Sequence, residues 1–271
     1  MEQSRLAEWA EVVGEKLPHL SKAQARVLAL WSFGIVMAQS CGLHKVSIFL
    51  AELLQIKENS MRQRLREWYK EAEAKQGEKR TEIEASTCFV PLVGWVLSWW
   101  SADEKRLAVA MDASSLGKRF VVLAISIVYR GCAIPVAWVV LKEGTKGEWR
   151  PYWEQLFATL QGAIPPAWTV IVLADRGLYA RWLFLCIQQN GWHPFLRVNH
   201  TYGTLRRAGS SQFLPLKYAL PQPGTSWSGR VTCFHSNPLA CTLLACWDER
   251  HCDPWLILTD LAPNQADVFW Y

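Results

Sequence analysis

Two aspartates follow apolar runs that are typical of buried strands. Asp112 comes after Leu107–Met111, and Asp175 comes after Val170–Ala174. A carboxylate at the end of a buried strand is costly unless it has a partner. If the two strands are neighbours, both carboxylates reach the same edge of a sheet and offer Mg²⁺ or Mn²⁺ the oxygen ligands that these ions prefer. Two metal ions about 3.5–4 Å apart activate water and stabilise the leaving oxygen in phosphodiester chemistry. Asp112 and Asp175 are therefore candidate catalytic residues and metal ligands.

Each aspartate also has a purely structural interpretation. Asp112 opens the sequence Asp-Ala-Ser-Ser, which is typical of turns. Asp175 could accept hydrogen bonds from Arg176 or from the backbone amides of the Arg-Gly that follows it. The strand–Asp pattern occurs twice, however, and its repetition favours a shared metal site over two separate turns.

The region after Lys105 predicts a mixed sheet with helices on its faces, which is an α/β fold. Arg130-Gly131 lies between two β-rich runs and predicts a tight hairpin. The order of elements is β-β-β-α-β-α-β. The predicted strands are Leu107–Met111, Phe120–Tyr129, Cys132–Leu141, Thr169–Ala174 and Pro194–Val198, and the predicted helices are Glu148–Leu160 and Leu178–Asn190.

The stretch Tyr202–Leu261 has a different texture, rich in Pro, Gly and Ser with short alternating runs. It predicts strands at Trp227–Phe234, Cys241–Cys246 and Trp255–Thr259. This part of the chain is either a β-rich insertion or an extension of the sheet.

The N-terminal stretch Glu2–Tyr69 has helical periodicity. A short helix at Val46–Leu54 precedes a basic helix that Asn59 or Ser60 could cap. This arrangement predicts a helix-turn-helix-like reader of DNA. The alternative is an amphipathic helix with a solvated basic face. The cations of the second helix are Arg62, Arg64, Arg66 and Lys70.

Glu71–Glu84 is charged and is interpreted as a linker or a frayed helix end, and the apolar Cys88–Trp100 predicts a further helix.

Positive charge is concentrated in the later part of the chain. Residues 1–106 carry 15 Lys+Arg and 14 Asp+Glu, whereas residues 107–247 carry 13 Lys+Arg and only 5 Asp+Glu. Such a block attracts polyanions. Solvated basic loops are the alternative. The candidate contacts to the DNA backbone in this block are Arg176, Arg197, Arg206 and Arg207.

The eight cysteines include no CxxC pair, the first fifteen residues are charged throughout, and no apolar run approaches the length of a membrane span. We therefore expect a cytoplasmic protein with reduced, mostly buried thiols and no membrane partner. Zinc binding by the group Cys241, Cys246, His251 and Cys252 is the alternative, but these spacings fit no usual zinc site.

Two motifs around the aspartates resemble those of the DDE transposases of bacterial insertion sequences, and of the insertion-sequence-four family in particular. Met111–Ser115 is Met-Asp-Ala-Ser-Ser, and Leu173–Tyr179 is Leu-Ala-Asp-Arg-Gly-Leu-Tyr. The resemblance covers about Leu107 to Tyr271. It implies an RNase H-like fold with a β-rich insertion, and Mg²⁺-dependent cleavage and transfer of strands at transposon ends. It also implies a homodimer on double-stranded DNA, in a bacterial cytoplasm at the nucleoid.

The resemblance also implies a third carboxylate, a Glu on a helix after the β-rich part. Asp267–Tyr271 is interpreted as the opening of that helix, and the expected Arg, Glu and Lys do not follow. We therefore expect a truncated chain with an incomplete active site. Three roles remain open: a transposase, a non-catalytic DNA-binding fragment that inhibits transposition, and an inert remnant. The acidic residues that could substitute poorly for the Glu are Asp248, Glu249, Asp253, Asp260 and Asp267.

These interpretations divide the chain into four parts. They are a helical DNA-binding region (1–85), a connecting helix or linker (86–106), the first part of the RNase H-like catalytic core (107–201), and the β-rich insertion with the start of the last catalytic helix (202–271).

Overall fold

The computed structural model describes residues 1–75, 81–101, 103–144 and 149–271. They form two compact units, Met1–Leu97 and Ser98–Tyr271. Among the described residues, no single helix is both long and apolar enough to cross a membrane.

The described residues of the first unit form helices and no strands. Its α-helices are α1 (Glu2–Lys16), α2 (Lys22–Ala38), α3 (Leu43–Leu54), α4 (Glu58–Trp68) and α5 (Phe89–Leu97), with 3-10 turns at Ala72–Ala74 and Ala85–Cys88. Ser21 begins α2 with a capping box, in which its hydroxyl accepts from the Gln24 amide and the Gln24 side chain accepts from the Ser21 amide. Helices α2, α3 and α4 share one apolar core, built on Leu30, Val46, Leu50, Met61 and Leu65.

A three-residue turn joins α3 to α4. Gln55 adopts a left-handed conformation with φ 53°, and its amide and that of Ile56 bond back to the last carbonyls of α3. Two short helices joined by three residues and packed together have the connection that is typical of a helix-turn-helix. The predicted caps were wrong, since Lys57 precedes α4 and caps it without a side-chain bond, while Asn59 and Ser60 lie inside the helix.

Gly34 allows α2 to approach α3 closely. A Cβ atom added there would lie 2.7 Å from Val46 Cγ1 and 3.0 Å from Leu50 Cδ1. We expect Gly34→Val to destabilise the first unit by about 1–3 kcal/mol, because overpacking displaces both core side chains. The measurement is the free energy of unfolding in urea.

Gly14 in α1 provides the matched control, because a Cβ atom there would meet nothing within 4 Å. Gly14→Ala is expected to stabilise the protein by up to about 1 kcal/mol, the helix-propensity difference between the two residues. Equal effects of both substitutions would contradict the close contact at Gly34.

The second unit is a mixed α/β structure built on one ten-stranded sheet. The first five strands are β1 (Arg106–Leu116), β2 (Phe120–Tyr129), β3 (Cys132–Lys142), β4 (Thr169–Ala174) and β5 (His193–Arg197). The others are β6 (Thr204–Arg207), β7 (Leu214–Pro215), β8 (Thr225–Cys233), β9 (Leu239–Trp247) and β10 (Trp255–Thr259). Their spatial order in the sheet is β3-β2-β1-β4-β5-β10-β9-β8-β6-β7. The α-helices are α6 (Arg150–Gln161) and α7 (Arg181–Gln189).

The predicted order β-β-β-α-β-α-β is confirmed. So is the hairpin between β2 and β3, where Arg130 (φ 49°) and Gly131 (φ 79°) both have the positive φ of a type I′ turn. Helix α6 begins at Arg150, and the Glu148 start predicted for it lies outside the described residues. Helix α7 begins at Arg181 and not at Leu178, because a turn anchored on Asp175 occupies the residues between.

One predicted boundary at the candidate site was wrong. Strand β1 does not end at Met111 but continues to Leu116, because Asp112–Leu116 pair with Phe120–Ala124 of β2. The segment Asp267–Tyr271 forms a 3-10 turn at Val268–Trp270, in which the Asp267 carboxylate accepts from the Phe269 amide.

The later β-rich part is an extension of the sheet. Strand β10 pairs directly with β5, with Ile257 opposite Arg197, and β9, β8 and β6 continue outward from it. Because β10 pairs with the edge of β5, the sheet continues into the β-rich part without a break. Where β4, β5, β10 and β9 meet, Phe195, Leu244 and Ile257 are buried beneath Val268, Trp270 and Tyr271 of the C-terminal segment.

All eight cysteines are free thiols, but the expectation that most are buried was wrong. Only Cys186, Cys233 and Cys241 are buried. Cys241 and Cys246 lie five residues apart on β9 and therefore point to opposite faces of the sheet, so they do not converge on a zinc ion.

Candidate active site

The two candidate aspartates lie side by side. Strands β1 and β4 are parallel neighbours, and Met111 is the register partner of Ala174. Asp112 follows Met111 within β1 and Asp175 is the first residue after β4, so the next register position places them side by side, about 4.8 Å apart in backbone spacing. Both side chains are exposed, so the expectation that each carboxylate is costly because it ends a buried strand was wrong. Strand register is what brings the two residues together.

The chain holds one oxygen of each carboxylate and leaves the other without a hydrogen bond from the described residues. Asp112 lies within β1, and its Oδ2 accepts from the Ser114 hydroxyl. Asp175 Oδ1 accepts from the amides of Gly177 (2.9 Å) and Leu178 (3.1 Å). The turn interpretation is therefore wrong for Asp112, while the backbone amides predicted as partners of Asp175 are present.

Arg197 continues the row of the two aspartates. Leu196 is the register partner of Ala174, so Arg197 on β5 stands beside Asp175. Its guanidinium lies over the Trp255 ring, 4.7 Å from the ring centroid, and Trp255 in turn packs edge-on against Tyr271 at 5.6 Å. Burial raises the pKa of the Tyr271 phenol, while Arg197 opposes this shift and the Asp175 charge adds to it. The aromatic pair positions a cation next to two carboxylates.

The other basic candidates of this unit are held in different ways. Arg176 forms an ion pair with Asp253 at 3.5 Å, so it is not an uncompensated charge. Arg206 lies over the Phe213 ring at 5.2 Å. Arg207 lies over the Trp227 ring at 4.5 Å and donates to the Ala219 carbonyl at 3.0 Å.

The basic residues of α4 do not share one face. Met61 and Leu65 are buried in the core, whereas Arg62 and Arg66, four residues apart, are exposed on the same outer side. Arg64 is about 200° around the helix from Arg62 and lines a groove beside α2. The fourth candidate lies beyond the helix, and the Lys70 ammonium donates to the Ala74 carbonyl.

The additional carboxylates do not join the aspartate pair, and the described residues contain no group of three metal-ligating side chains. Asp248 is held by Arg250, which lowers the pKa of its carboxyl. Asp253 faces Arg176 and His200, and Asp260 contacts His193 at 3.1 Å.

Tyr179, which lies in the second motif, has a buried hydroxyl without a hydrogen-bond partner among the described residues. Its ring stacks on Phe234 at 5.1 Å, and burial raises the pKa of the phenol. We expect Tyr179→Phe to stabilise the protein by about 1 kcal/mol, because the unsatisfied hydroxyl is removed. The advantage should grow above about pH 10, where the unfolded wild-type chain ionises first and the folded state loses stability.

Thermal unfolding at neutral and alkaline pH measures this effect, with Tyr202→Phe as the control because Tyr202 is 73% exposed. A loss of stability in Tyr179→Phe would show that the hydroxyl has a partner.

Sequence reasoning missed Arg230 and Tyr271. Arg230 is exposed on β8 and donates to the Asp260 carbonyl at 3.1 Å. The alternation of β8 could have placed Arg230 on one face, but nothing local shows which strands lie beside it.

The comparisons with known proteins establish no family for this chain. No family model and no curated protein matches the chain. A cryo-EM structure of a piggyBac transposase synaptic complex with hairpin DNA aligns with 58% of this chain at 11% identity and a TM-score of 0.35. A crystal structure of the Mos1 strand transfer complex aligns with 63% at 16% identity and a TM-score of 0.24. The chain covers 33% and 56% of those proteins, and such TM-scores establish no shared fold.

Proposed function

We propose that this chain is a transposase of the DDE type, RNase H-like and related to the insertion-sequence-four family. It binds transposon-end DNA, and Asp112 and Asp175 are two of the three carboxylates for metal-dependent cleavage and transfer of DNA strands. The third carboxylate that the resemblance implies does not join them among the described residues, which leaves the active site incomplete. One observation carries the proposal: parallel pairing of β1 and β4 sets Asp112 and Asp175 side by side on one face of the sheet, open to solvent.

The donor set fits Mg²⁺ or Mn²⁺. Each of Asp112 and Asp175 keeps one carboxylate oxygen outside the hydrogen bonds that fix its side chain. Hard anionic oxygens on adjacent strands are the ligands that these ions prefer. The ions, when bound, would lower the pKa of a coordinated water and stabilise the leaving oxygen of the phosphodiester.

The protein's own groups orient the reacting phosphate. The Gly177 and Leu178 amides and the Ser114 hydroxyl fix the two carboxylates before DNA arrives, so little rearrangement is needed. Arg197, held over Trp255, is placed to donate to a phosphate oxygen beside the carboxylates. A positive group there also offsets the repulsion between carboxylates and the DNA backbone.

The first unit would supply sequence recognition. In a helix-turn-helix, the second helix enters the major groove, where side chains contact base edges and phosphates. Helix α4 holds that place, with Arg62 and Arg66 exposed on its outer side. The expected partner is double-stranded DNA of the transposon ends, bound by a homodimer in the cytoplasm at the bacterial nucleoid.

A second candidate function keeps DNA binding without the chemistry. Asp175 Oδ1 is already engaged by two backbone amides, which is also what a purely structural turn requires. Such a chain would occupy transposon ends and inhibit a cleaving copy.

The deciding experiment incubates the chain with a duplex carrying the terminal sequences that flank its gene, in Mg²⁺, Mn²⁺ or EDTA. Cleavage in either metal but not in EDTA is the expected result. Binding without cleavage under all three conditions would favour the second candidate, and an absence of both would contradict the two proposals together.

A further inference from the structure

A small basic cleft lies where β6 ends beside β8. It has a volume of about 330 Å³ and is lined by Arg206, Arg207 and Arg230 together with Gly209, Ser210 and Thr232. Strand β6 ends at Arg207, and the chain turns at Gly209 with φ 82°, where the Ser210 amide donates to the Arg207 carbonyl. The turn leaves the edge of β8 uncovered and opens the cleft.

The three guanidinium groups of the cleft have no carboxylate partner among the described residues. Arg206 is held over Phe213, Arg207 by Trp227 and the Ala219 carbonyl, and Arg230 by the Asp260 carbonyl. Among the residues that the structure describes, no acidic side chain lines the cleft. Aromatic rings and carbonyls position these groups without neutralising them, so the cleft concentrates positive charge that an anion would offset.

The cleft opens on the sheet face that carries the aspartates. Arg197 pairs with Ile257, Ile257 with Leu244, and Leu244 with Ser228. Arg230 is two residues beyond Ser228 on β8 and so shares that face. Arg206 pairs with Thr232, which has the same alternation, and belongs to it too, whereas Arg207 pairs with Val231 and points to the opposite face, over Trp227.

Four strand steps separate Asp175, the residue after β4, from Arg230 on β8. At about 4.8 Å per step, the two residues are roughly 19 Å apart across the sheet. DNA rises about 3.4 Å per base pair, so this distance corresponds to roughly five to six base pairs.

We propose that Arg206 and Arg230 in this cleft bind a backbone phosphate of double-stranded DNA, five to six base pairs from the phosphodiester that faces Asp112 and Asp175. The inference rests on the proposed function and adds a second anchoring point to it. A phosphodiester offers two anionic oxygens that arginine can bind in a bidentate manner. This contact is independent of base sequence, and it fixes the direction in which the duplex leaves the aspartates.

The test measures the affinity of the full chain for a 30-bp duplex of random sequence in EDTA, over a series of NaCl concentrations. We expect the double variant Arg206→Ala/Arg230→Ala to reduce the slope of log K against log [NaCl] by about 0.9, the loss of one phosphate contact, and the single variants Arg230→Ala and Arg206→Ala each to reduce it by part of that amount. Arg230→Lys should retain the slope, because its charge remains. Unchanged slopes in both alanine variants, with wild-type binding intact, would overturn the inference and leave the proposed function standing.

Arg250→Ala is the matched control, because Arg250 is exposed but already neutralised by Asp248 at 2.8 Å. It should leave the slope unchanged, and an equal reduction would overturn the inference by showing a general charge effect. The Arg206→Ala variant guards against a folding artefact, because Arg206 contacts the Phe213 ring, whereas Arg230 donates to a backbone carbonyl.

Titration with inorganic phosphate distinguishes a site for free phosphate from a site for the DNA backbone. If Arg230→Ala abolishes the binding of inorganic phosphate but leaves the duplex slope unchanged, the assignment of the cleft to DNA is overturned. Failure of the wild type to bind any duplex would instead contradict the proposed function itself.

Discussion

Replacing Asp112 with asparagine is expected to reduce metal-dependent DNA cleavage by about 10³-fold. An anionic ligand that positions a metal ion contributes several kcal/mol to stabilising the transition state. At about 1.36 kcal/mol per tenfold change in rate, about 4 kcal/mol gives that factor. The same loss is expected for Asp175→Asn, because Asp175 follows β4 directly and stands beside Asp112 of β1. The measurement is the single-turnover rate in Mg²⁺ and in Mn²⁺.

Asparagine makes this test sharp, because its carbonyl oxygen still accepts the hydrogen bonds that hold the aspartates. In Asp175→Asn, the Gly177 and Leu178 amides can donate to the side-chain carbonyl as they do to the carboxylate, so the turn keeps its partners while the charge is lost. Duplex affinity in EDTA and thermal stability should therefore stay near wild-type values.

Asp103→Asn is the control, since it removes an equal charge from an exposed residue of the same unit. We expect it to cleave at the wild-type rate. Full activity in either aspartate variant would remove that residue from the proposed site, and equal losses in all three would indicate an effect of net charge.

The strands that precede the two aspartates could be predicted because strand periodicity, and the order of elements along the chain, are local properties of the sequence. Thr169–Ala174 has the bounds predicted for it, and the hairpin at Arg130-Gly131 is where turn chemistry puts it. The apolar run before each aspartate predicted a strand, and the parallel pairing of β1 with β4, which the sequence left open, sets the two aspartates side by side.

What escaped prediction depends on pairing between distant strands. Asp-Ala-Ser-Ser has the composition of a turn, yet pairing with β2 draws Asp112–Leu116 into β1, since an edge left unpaired there would lose its ladder of hydrogen bonds. Arg230 is near Arg206 only because β8 lies beside β6, and its neighbourhood to Asp260 is likewise set by the sheet. The orientation of α4 could have been predicted from the sequence, because the apolar Met61 and Leu65 are four residues apart and mark the face that packs into the core.

That orientation leads to the second large effect, the loss of DNA binding when the outer face of α4 is stripped of charge. Arg62 and Arg66 lie together on the exposed side, away from the core residues Met61 and Leu65. Each contact of an arginine with a base or a phosphate is worth about 1–3 kcal/mol. The double variant Arg62→Ala/Arg66→Ala is therefore expected to weaken binding of the duplex that carries the transposon ends by at least tenfold.

Arg64→Ala separates recognition by this face from simple loss of charge. Arg64 lies beside α2 in the groove that also holds Gln24 and Trp68, so it should not reach DNA docked on the outer side. Its removal should change affinity for the end duplex by less than the removal of Arg62 alone, as measured by fluorescence anisotropy at fixed salt. If Arg64→Ala weakens binding as much as Arg62→Ala, then α4 is not docked by its outer face. Since the buried Met61 and Leu65 fix the orientation of α4, the first unit would in that case bind DNA in another orientation.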